Sequence, residues 1–158
     1  MSKYVPPNTS AQLLLSWLQR CRESQFAHYE MASIYSKKNG ALGIPVIGIN
    51  ALVSASIFAT FLESENSYIR IIALALSLIA IVLSALHTYL KFSDAAESHR
   101  LAGAEYAAAR RKLEILHTTG GVSAATLQET EKLISDLALK SPNISAKQFA
   151  EIMTRFPD

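Results

Sequence analysis

Four histidines have the widest chemical range of any side chains in this sequence, because imidazole can transfer protons, bind metals and change charge near neutral pH. They stand far apart in the chain, at His28, His87, His99 and His117. None belongs to a metal-binding pattern such as HExxH, and an isolated histidine on a helix is usually packed or hydrogen-bonded. We therefore predict no metal site.

Other catalytic patterns are also missing from the sequence. Gly120 and Gly121 lack the neighbouring residues of a phosphate-binding loop, and no nucleophile-elbow motif occurs. The single cysteine, Cys21, can form neither an internal disulfide nor a cysteine-based zinc cluster, and we expect it to be a packing residue. These observations predict a protein that is not an enzyme, with no catalytic residue, no cofactor and no metal.

Two long apolar segments dominate the middle of the chain. They run over 41–62 and 71–90, and neither contains Asp, Glu, Lys or Arg. A helix rises 1.5 Å per residue, so each segment covers about 30 Å, the hydrocarbon thickness of a bilayer. The sequence therefore predicts two membrane-crossing helices. The alternative is a pair of helices in a soluble core, which so short a chain could not cover.

Polar residues within these segments form the second set of candidates. Asn50 and Ser54 lie along one stripe of the first segment, and a comparable stripe of the second holds Ser77, Ser84 and His87. Polar groups are costly against lipid, so both stripes should face protein or water. Two interpretations stay open: the residues line an aqueous pore, or they hydrogen-bond between helices. Two helices cannot enclose a pore, so the first interpretation requires a homo-oligomer.

Gly43 and Pro45 stand at the start of the first apolar segment. Proline is tolerated in the first turn of a helix, whereas a deeper position forces a kink. We interpret the two residues as a break where the helix enters the membrane, with a gating hinge as the alternative.

Basic residues flank both apolar segments on the same side. Lys37 and Lys38 precede the first segment, and Lys91 and Arg100 follow the second, whereas the connecting loop over 63–70 contains a single arginine. Loops rich in Lys and Arg stay in the cytoplasm. We therefore predict an outside loop at 63–70 and two cytoplasmic termini in a multi-pass membrane protein.

Helical periodicity continues beyond the membrane segments. Apolar residues at three- and four-residue spacing predict cytoplasmic helices over 11–38 and 91–118, the second continuing the membrane helix as one rod. Shorter helices are predicted over 123–156, capped by serines. The predicted fold class is an all-α membrane protein, a two-helix transmembrane hairpin with long cytoplasmic helical extensions, forming a single unit over 1–158.

The two cytoplasmic helices can be matched by their distance from the membrane. Counted from Lys38 and Lys91, His28 and Glu30 reach nearly the same height as His99. Antiparallel pairing would bring the three side chains together, about 15 Å above the membrane surface. A carboxylate near two histidines could hold a proton between them, so we interpret this set as a coupling cluster that responds to pH or an anion. The alternative is that the histidines only set the register.

The order of these elements resembles the SLATT family, the two-transmembrane effector domains associated with bacterial nucleotide-second-messenger and SLOG sensor systems. The residues that carry the resemblance are HYEMASIYSKKNGALGIPVIGINAL at 28–52 and AAESHRLAGAEYAAARRKLE at 95–114. The resemblance covers nearly the whole chain. It implies a homo-oligomeric, pore-forming effector that permeabilises the inner membrane of an infected bacterium, in antiviral defence by cell suicide.

The expected partners follow from charge and from this resemblance. A net charge of +2 with dispersed basic residues argues against nucleic-acid binding. The resemblance implies the lipid bilayer, further copies of the chain, and a trigger from a separate sensor or nucleotide-synthesising protein or its nucleotide product. The alternative function is a non-conducting membrane anchor or scaffold whose cytoplasmic helices bind a partner protein. A small transporter would usually need a carboxylate within the spans, and neither span has one.

Overall fold

A computed structural model describes residues 6–62, 67–120 and 123–156, with side chains described outside 56–62, 67 and 69. Regular secondary structure in these ranges is entirely helical, which confirms the predicted all-α class. The helices are α1 (Ser10–Leu62), α2 (Ser67–Leu90), α3 (Phe92–Thr119), α4 (Ala124–Lys140) and α5 (Ala146–Met153).

Contacts within the chain cluster into two compact parts of the single predicted unit. We call Met1–Ser33 together with Ala96–Asp158 the terminal unit, and Ile34–Ala95 the apolar unit. The terminal unit contains the first part of α1, most of α3, and helices α4 and α5. The apolar unit contains the remainder of α1, all of α2 and the start of α3.

Helix α1 continues through the place where the sequence predicts two separate helices, 11–38 and 41–62. Gly43 and Pro45 lie inside it. Proline removes one backbone hydrogen bond, but a long helix can lose a single bond and remain helical on both sides. The predicted break in secondary structure at Gly43 and Pro45 is therefore absent from α1, and a gating hinge there stays a prediction.

Lys91 interrupts the second predicted rod. Its φ of 45° lies in the left-handed region, and it stands between the end of α2 and the start of α3. The Ala95 N–H donates to the Lys91 carbonyl at 3.1 Å, so regular helical bonding resumes at once. The left-handed conformation costs a lysine about 1–2 kcal/mol, and lysine is a good helix former. The sequence therefore predicted a continuous rod at this position. The rod is instead two helices.

The starts of α4 and α5 follow the sequence signals. The Ser123 hydroxyl accepts a hydrogen bond from the Thr126 N–H at 3.2 Å, and the Ser145 hydroxyl accepts one from the Gln148 N–H at 3.3 Å. Each bond satisfies a backbone N–H that has no partner within its helix.

Helix ends also follow the sequence. Helix α3 ends at Thr119 before Gly120, whose φ of 65° is the left-handed conformation that glycine adopts without strain. The neighbouring glycine, Gly121, lies outside the described residues. Helix α4 ends at Lys140, two residues before Pro142.

The terminal unit is held by an apolar core between α1, α3 and α4. Its buried members are Leu14, Cys21, Tyr106, Ala109, Leu113 and Leu137. Leu14 shares this core with Leu113, while His28 contacts His99, so α1 and α3 are antiparallel here. Leu137 shows that α4 folds back onto the two long helices.

The C-terminal helix packs against α1 within the same unit. Ile152 of α5 is buried, and the Phe156 ring meets the Phe26 ring edge to face, with centroids 5.3 Å apart. The Arg22 guanidinium lies 4.8 Å from the centroid of the same Phe156 ring, a cation–π distance. The chain after α4 is therefore anchored on α1 by aromatic contacts.

Helix α2 has a mostly exposed apolar surface, in contrast to the buried apolar core of the terminal unit. It contains a stretch long and apolar enough to cross a membrane, found within Arg70–Thr119, and only 6% of that stretch is buried. Among the described residues, no other helix contains a stretch that is long and apolar enough to cross a membrane. The predicted first span, 41–62, includes side chains outside that description and stays a prediction.

The core of the terminal unit yields a stability prediction. Leu113 is 1% exposed, so Leu113→Ala should destabilise the protein by about 2–5 kcal/mol through lost burial and a cavity. Leu139 is 85% exposed, and Leu139→Ala should change stability by no more than about 0.5 kcal/mol. Thermal unfolding in detergent, followed by helical circular dichroism, measures both. A Leu113→Ala midpoint no lower than that of Leu139→Ala would contradict the core assignment.

Candidate functional site

Two buried histidines meet where α1 contacts α3 in the terminal unit. His28 Nδ1 lies 2.9 Å from His99 Nδ1, a hydrogen-bond distance. One nitrogen must donate and the other accept, so this contact holds one shared proton. The Tyr106 ring stacks on His28 with centroids 5.4 Å apart and planes 15° apart. The contact joins α1 to α3 in one register.

The surroundings of the pair disfavour positive charge. Burial lowers the pKa of His28 to about 4, with a smaller contribution from repulsion by His99. Burial also lowers the pKa of His99. Both rings are therefore neutral at neutral pH, and the hydrogen bond between them is one between neutral groups.

Glu30, the third member of the predicted coupling cluster, does not join the pair. Within the described residues, no hydrogen bond or ion pair connects Glu30 with His28 or His99. Residues two positions apart on a helix point in different directions, so His28 and Glu30 share a height without sharing a face. The sequence argument matched heights alone. Tyr106 occupies the place beside His28, and its position on the apolar stripe of α3 was the available signal.

Close approach of the helices beside this pair depends on Gly103. A Cβ atom at Gly103 would lie 3.0 Å from Cδ1 of the Tyr29 ring. A larger residue would therefore displace that ring. Glycine inside a helix costs about 1 kcal/mol relative to alanine, and ring packing at this position offsets the cost.

His87 forms the corresponding polar contact in the apolar unit. Its Nε2 donates to Asn39 Oδ1 at 3.1 Å, linking α2 to α1. A Cβ atom at Gly43 would lie 3.3 Å from the same Nε2, so Gly43 provides the space for the imidazole. The structure thus shows a packing role for Gly43. Sequence reasoning missed Asn39 because it precedes the apolar segment.

On α2, the predicted polar stripe faces α1. Ser77, Ser84 and His87 are half-buried, and Ala80 between them is buried. The Ser77 hydroxyl donates to the Ala73 carbonyl of its own helix at 2.7 Å. Such a bond satisfies the hydroxyl without a partner on another helix. Of these residues, His87 has a hydrogen-bond partner on α1 within the apolar unit.

On α1, the other predicted stripe lies away from α2. Asn50 and Ser54 are exposed, whereas Val46, Ile49 and Val53 are half-buried. The Ser54 hydroxyl donates to the Asn50 carbonyl at 2.8 Å. In the described part of the chain, the Asn50 side-chain amide has no hydrogen-bond partner. The structure therefore separates the two stripes and leaves one amide on an outer apolar surface.

The described residues contain no group of three or more His, Cys, Asp or Glu side chains placed to hold a metal ion. Cys21 is buried, and burial raises the pKa of its thiol to about 11. The protonated thiol is a poor nucleophile. The chemistry of the site is therefore hydrogen bonding and packing between helices.

The histidine pair predicts a pH dependence of stability. The folded-state pKa of His28, about 4, is below its ordinary 6.5, so the unfolded chain binds more protons between these values. Stability should fall as the pH drops from 6.5 towards 4, by roughly 2 kcal/mol at pH 5. Thermal unfolding at several pH values measures the slope. His28→Gln should flatten it, and the exposed His117→Gln should not. Equal slopes for His28→Gln and wild type would show that His28 is not the titrating group.

The limited space at Gly43 predicts that alanine substitutions at two glycines of α1 will change stability differently. A Cβ at Gly48 meets nothing within 4 Å, so Gly48→Ala should gain up to about 1 kcal/mol from helix propensity. Gly43→Ala should gain less or lose stability, because its methyl group crowds His87. The thermal midpoints of the two variants in detergent give the comparison. If Gly43→Ala proves as stable as Gly48→Ala, His87 does not pack there.

Comparison with known proteins assigns the chain to a family. The family model described as SMODS and SLOG-associating 2TM effector domain family 4 matches residues 16–144. The matched range begins in α1, ends between α4 and α5, and includes residues of both units. No curated protein and no solved structure matches the chain. The match and the exposed apolar helix agree, and the chain belongs to the SLATT family of two-transmembrane effectors of defence systems.

Proposed function

We propose that this protein is an oligomeric membrane effector that opens a pore in the bacterial inner membrane. The observation that carries the proposal is the exposed apolar surface of α2. Its exposed large side chains include Ile71, Ile72, Leu74, Leu78, Ile79, Ile81, Val82 and Leu86. Burial of one such side chain stabilises by about 1.5–3 kcal/mol, so a surface of this size favours lipid over water.

The second part of α1 supports a transmembrane hairpin with α2. Ile44, Ile47 and Leu52 are exposed on it, and the bond from His87 to Asn39 joins it to α2. This agrees with the two spans in the family description. Basic residues at Lys37, Lys38 and Lys91 lie beyond the apolar stretches, which supports cytoplasmic termini.

The Asn50 amide, which has no hydrogen-bond partner among the described residues, supports assembly of several copies. It is exposed near Ile47 and Leu52, and a polar group facing hydrocarbon is costly. A second copy can pair with this amide, and interhelical hydrogen bonds in membranes contribute about 0.6–2 kcal/mol. In a ring of copies, the same residues would border a water-filled path.

Family membership supports a role in antiviral defence by cell suicide. The trigger in this proposal is a separate sensor or nucleotide-synthesising protein, or its nucleotide product. The protein needs no catalytic residue or cofactor for this role, because an open pore dissipates the membrane potential without chemistry.

A groove in the terminal unit favours the second candidate function, a non-conducting scaffold. It has a volume of about 500 Å³ and lies between α3 and α4, with Ala108, Ala109, Leu133 and Leu137 in its lining. Glu105, Lys112, Asp136 and Lys140 complete the lining. An amphipathic helix of a partner protein would suit such a surface.

Regulated expression in bacteria with a potential-sensitive dye tests the pore. Wild-type protein should depolarise the membrane. Asn50→Leu should remain in the membrane fraction but weaken assembly by about 3- to 30-fold per contact, the equivalent of the lost hydrogen bond. Ile47→Leu, an apolar exchange on the same exposed helix, should behave as wild type.

The mass of the detergent-extracted complex separates the two candidate functions. An oligomer that leaves the potential unchanged would support the scaffold and reject the pore. Wild-type depolarisation and wild-type mass in Asn50→Leu would reject the role of this amide.

A further inference from the structure

A cavity of about 250 Å³ lies in the terminal unit beside the histidine pair. Helix α1 contributes Ser24 and His28 to its lining, and α3 contributes Tyr106. The connection between α4 and α5 and the start of α5 contribute Asn143, Ile144 and Phe149. The cavity is therefore formed by three separate parts of the chain that folding brings together.

Three polar side chains in this lining have an atom without a partner among the described residues. Tyr106 is 7% exposed, yet no hydrogen bond of its hydroxyl occurs among the described residues. The Ser24 hydroxyl likewise has no hydrogen bond among the described residues. His28 Nδ1 is bonded to His99, and His28 Nε2 has no hydrogen bond among the described residues. These three groups are not among the buried side-chain atoms of the described residues that lack a partner, so solvent reaches each of them. These groups can therefore recognise something that enters the cavity.

The lining carries no formal charge. Its polar members are hydroxyl, amide and imidazole groups, and Ile144 and Phe149 provide apolar surface. An anion such as a phosphate would meet no cation there, and an unpaired charge is expensive to bury. An entirely apolar molecule would leave the Tyr106 and Ser24 hydroxyls without partners. The chemistry thus selects an uncharged molecule with both hydrogen-bond donors and acceptors.

We propose that this cavity is a binding site for a small, flat, uncharged molecule that carries an amide. Its volume lies just below the 300–1,000 Å³ that is usual for drug-sized ligands, so one ring or two fused rings would fill it. The amide donates to and accepts from the Ser24, His28 and Tyr106 groups, and the ring lies against Ile144 and Phe149.

Binding at this place has a structural consequence. A ligand would bridge α1 and α3 to the connection between α4 and α5, and would stabilise the terminal unit according to its occupancy. The site does not depend on pore formation. Ligand binding can therefore be tested without a measurement of conductance.

Benzamide is a suitable probe, with benzoate and toluene as shape-matched controls. Benzoate has the same outline but a negative charge, and toluene has the ring without the amide. Ligand-observed NMR with the full chain in detergent should show benzamide binding at about millimolar Kd, typical of a ligand of this size. Benzoate should bind at least about tenfold more weakly. Toluene partitions into micelles, and its signal should be the same for every variant.

Variants separate cavity binding from partition into detergent. Tyr106→Phe keeps the aromatic ring on His28 and removes only the Tyr106 hydroxyl. Ser24→Ala removes the Ser24 hydroxyl. Each should weaken benzamide binding by about 3- to 10-fold, the loss expected for one hydrogen bond. Ser135→Ala, on α4 outside the lining, should bind as wild type. Helical circular dichroism checks that each variant is folded.

Three outcomes would overturn the proposal. Benzamide binding that is absent from the wild type would mean that the cavity holds only water. Binding that is equal in wild type, Tyr106→Phe and Ser24→Ala would place the probe elsewhere. Equal affinity for benzamide and benzoate would contradict selection against charge.

Discussion

The close contact of α1 with α3 in the terminal unit determines where its other residues can lie. His28 meets His99 there, and Gly103 leaves space for the Tyr29 ring. A shift of one helical turn would separate the two imidazoles and leave buried nitrogens without partners, which is costly. The hydrogen bond therefore specifies a register that the apolar core, with Leu14 and Leu113, could share with neighbouring alignments.

In the proposed transmembrane hairpin, the apolar unit follows the same rule in a different solvent. Hydrocarbon offers no hydrogen bonds, so polar groups must be satisfied within the protein. His87 is paired with Asn39, and the hydroxyl of Ser77 is bonded to its own helix. Asn50 is the exception in the described part of α1, and this exception supports the proposed pairing with a second copy of the chain.

The two proposals for this protein rest on the same kind of observation, a polar group that has no partner among the described residues. At Asn50 the exposed amide lies on an apolar helix, which favours another copy of the chain as its partner. At Tyr106 the hydroxyl lies in a cavity with no charged lining, which favours a small neutral ligand. An exposed apolar surface and an open cavity therefore lead to different classes of proposed partner.

The sequence by itself determined the helices, their serine caps and the apolar stripes, because these depend on residues a few positions apart. It also placed His28 and His99 at one height, since helical rise is constant. Only the tertiary structure decided that Glu30 stays apart, that Lys91 divides the second rod, and that Asn50 faces away from α2. Direction around a helix axis and the choice of contact face depend on how whole helices pack, and spacing along one chain does not contain that information.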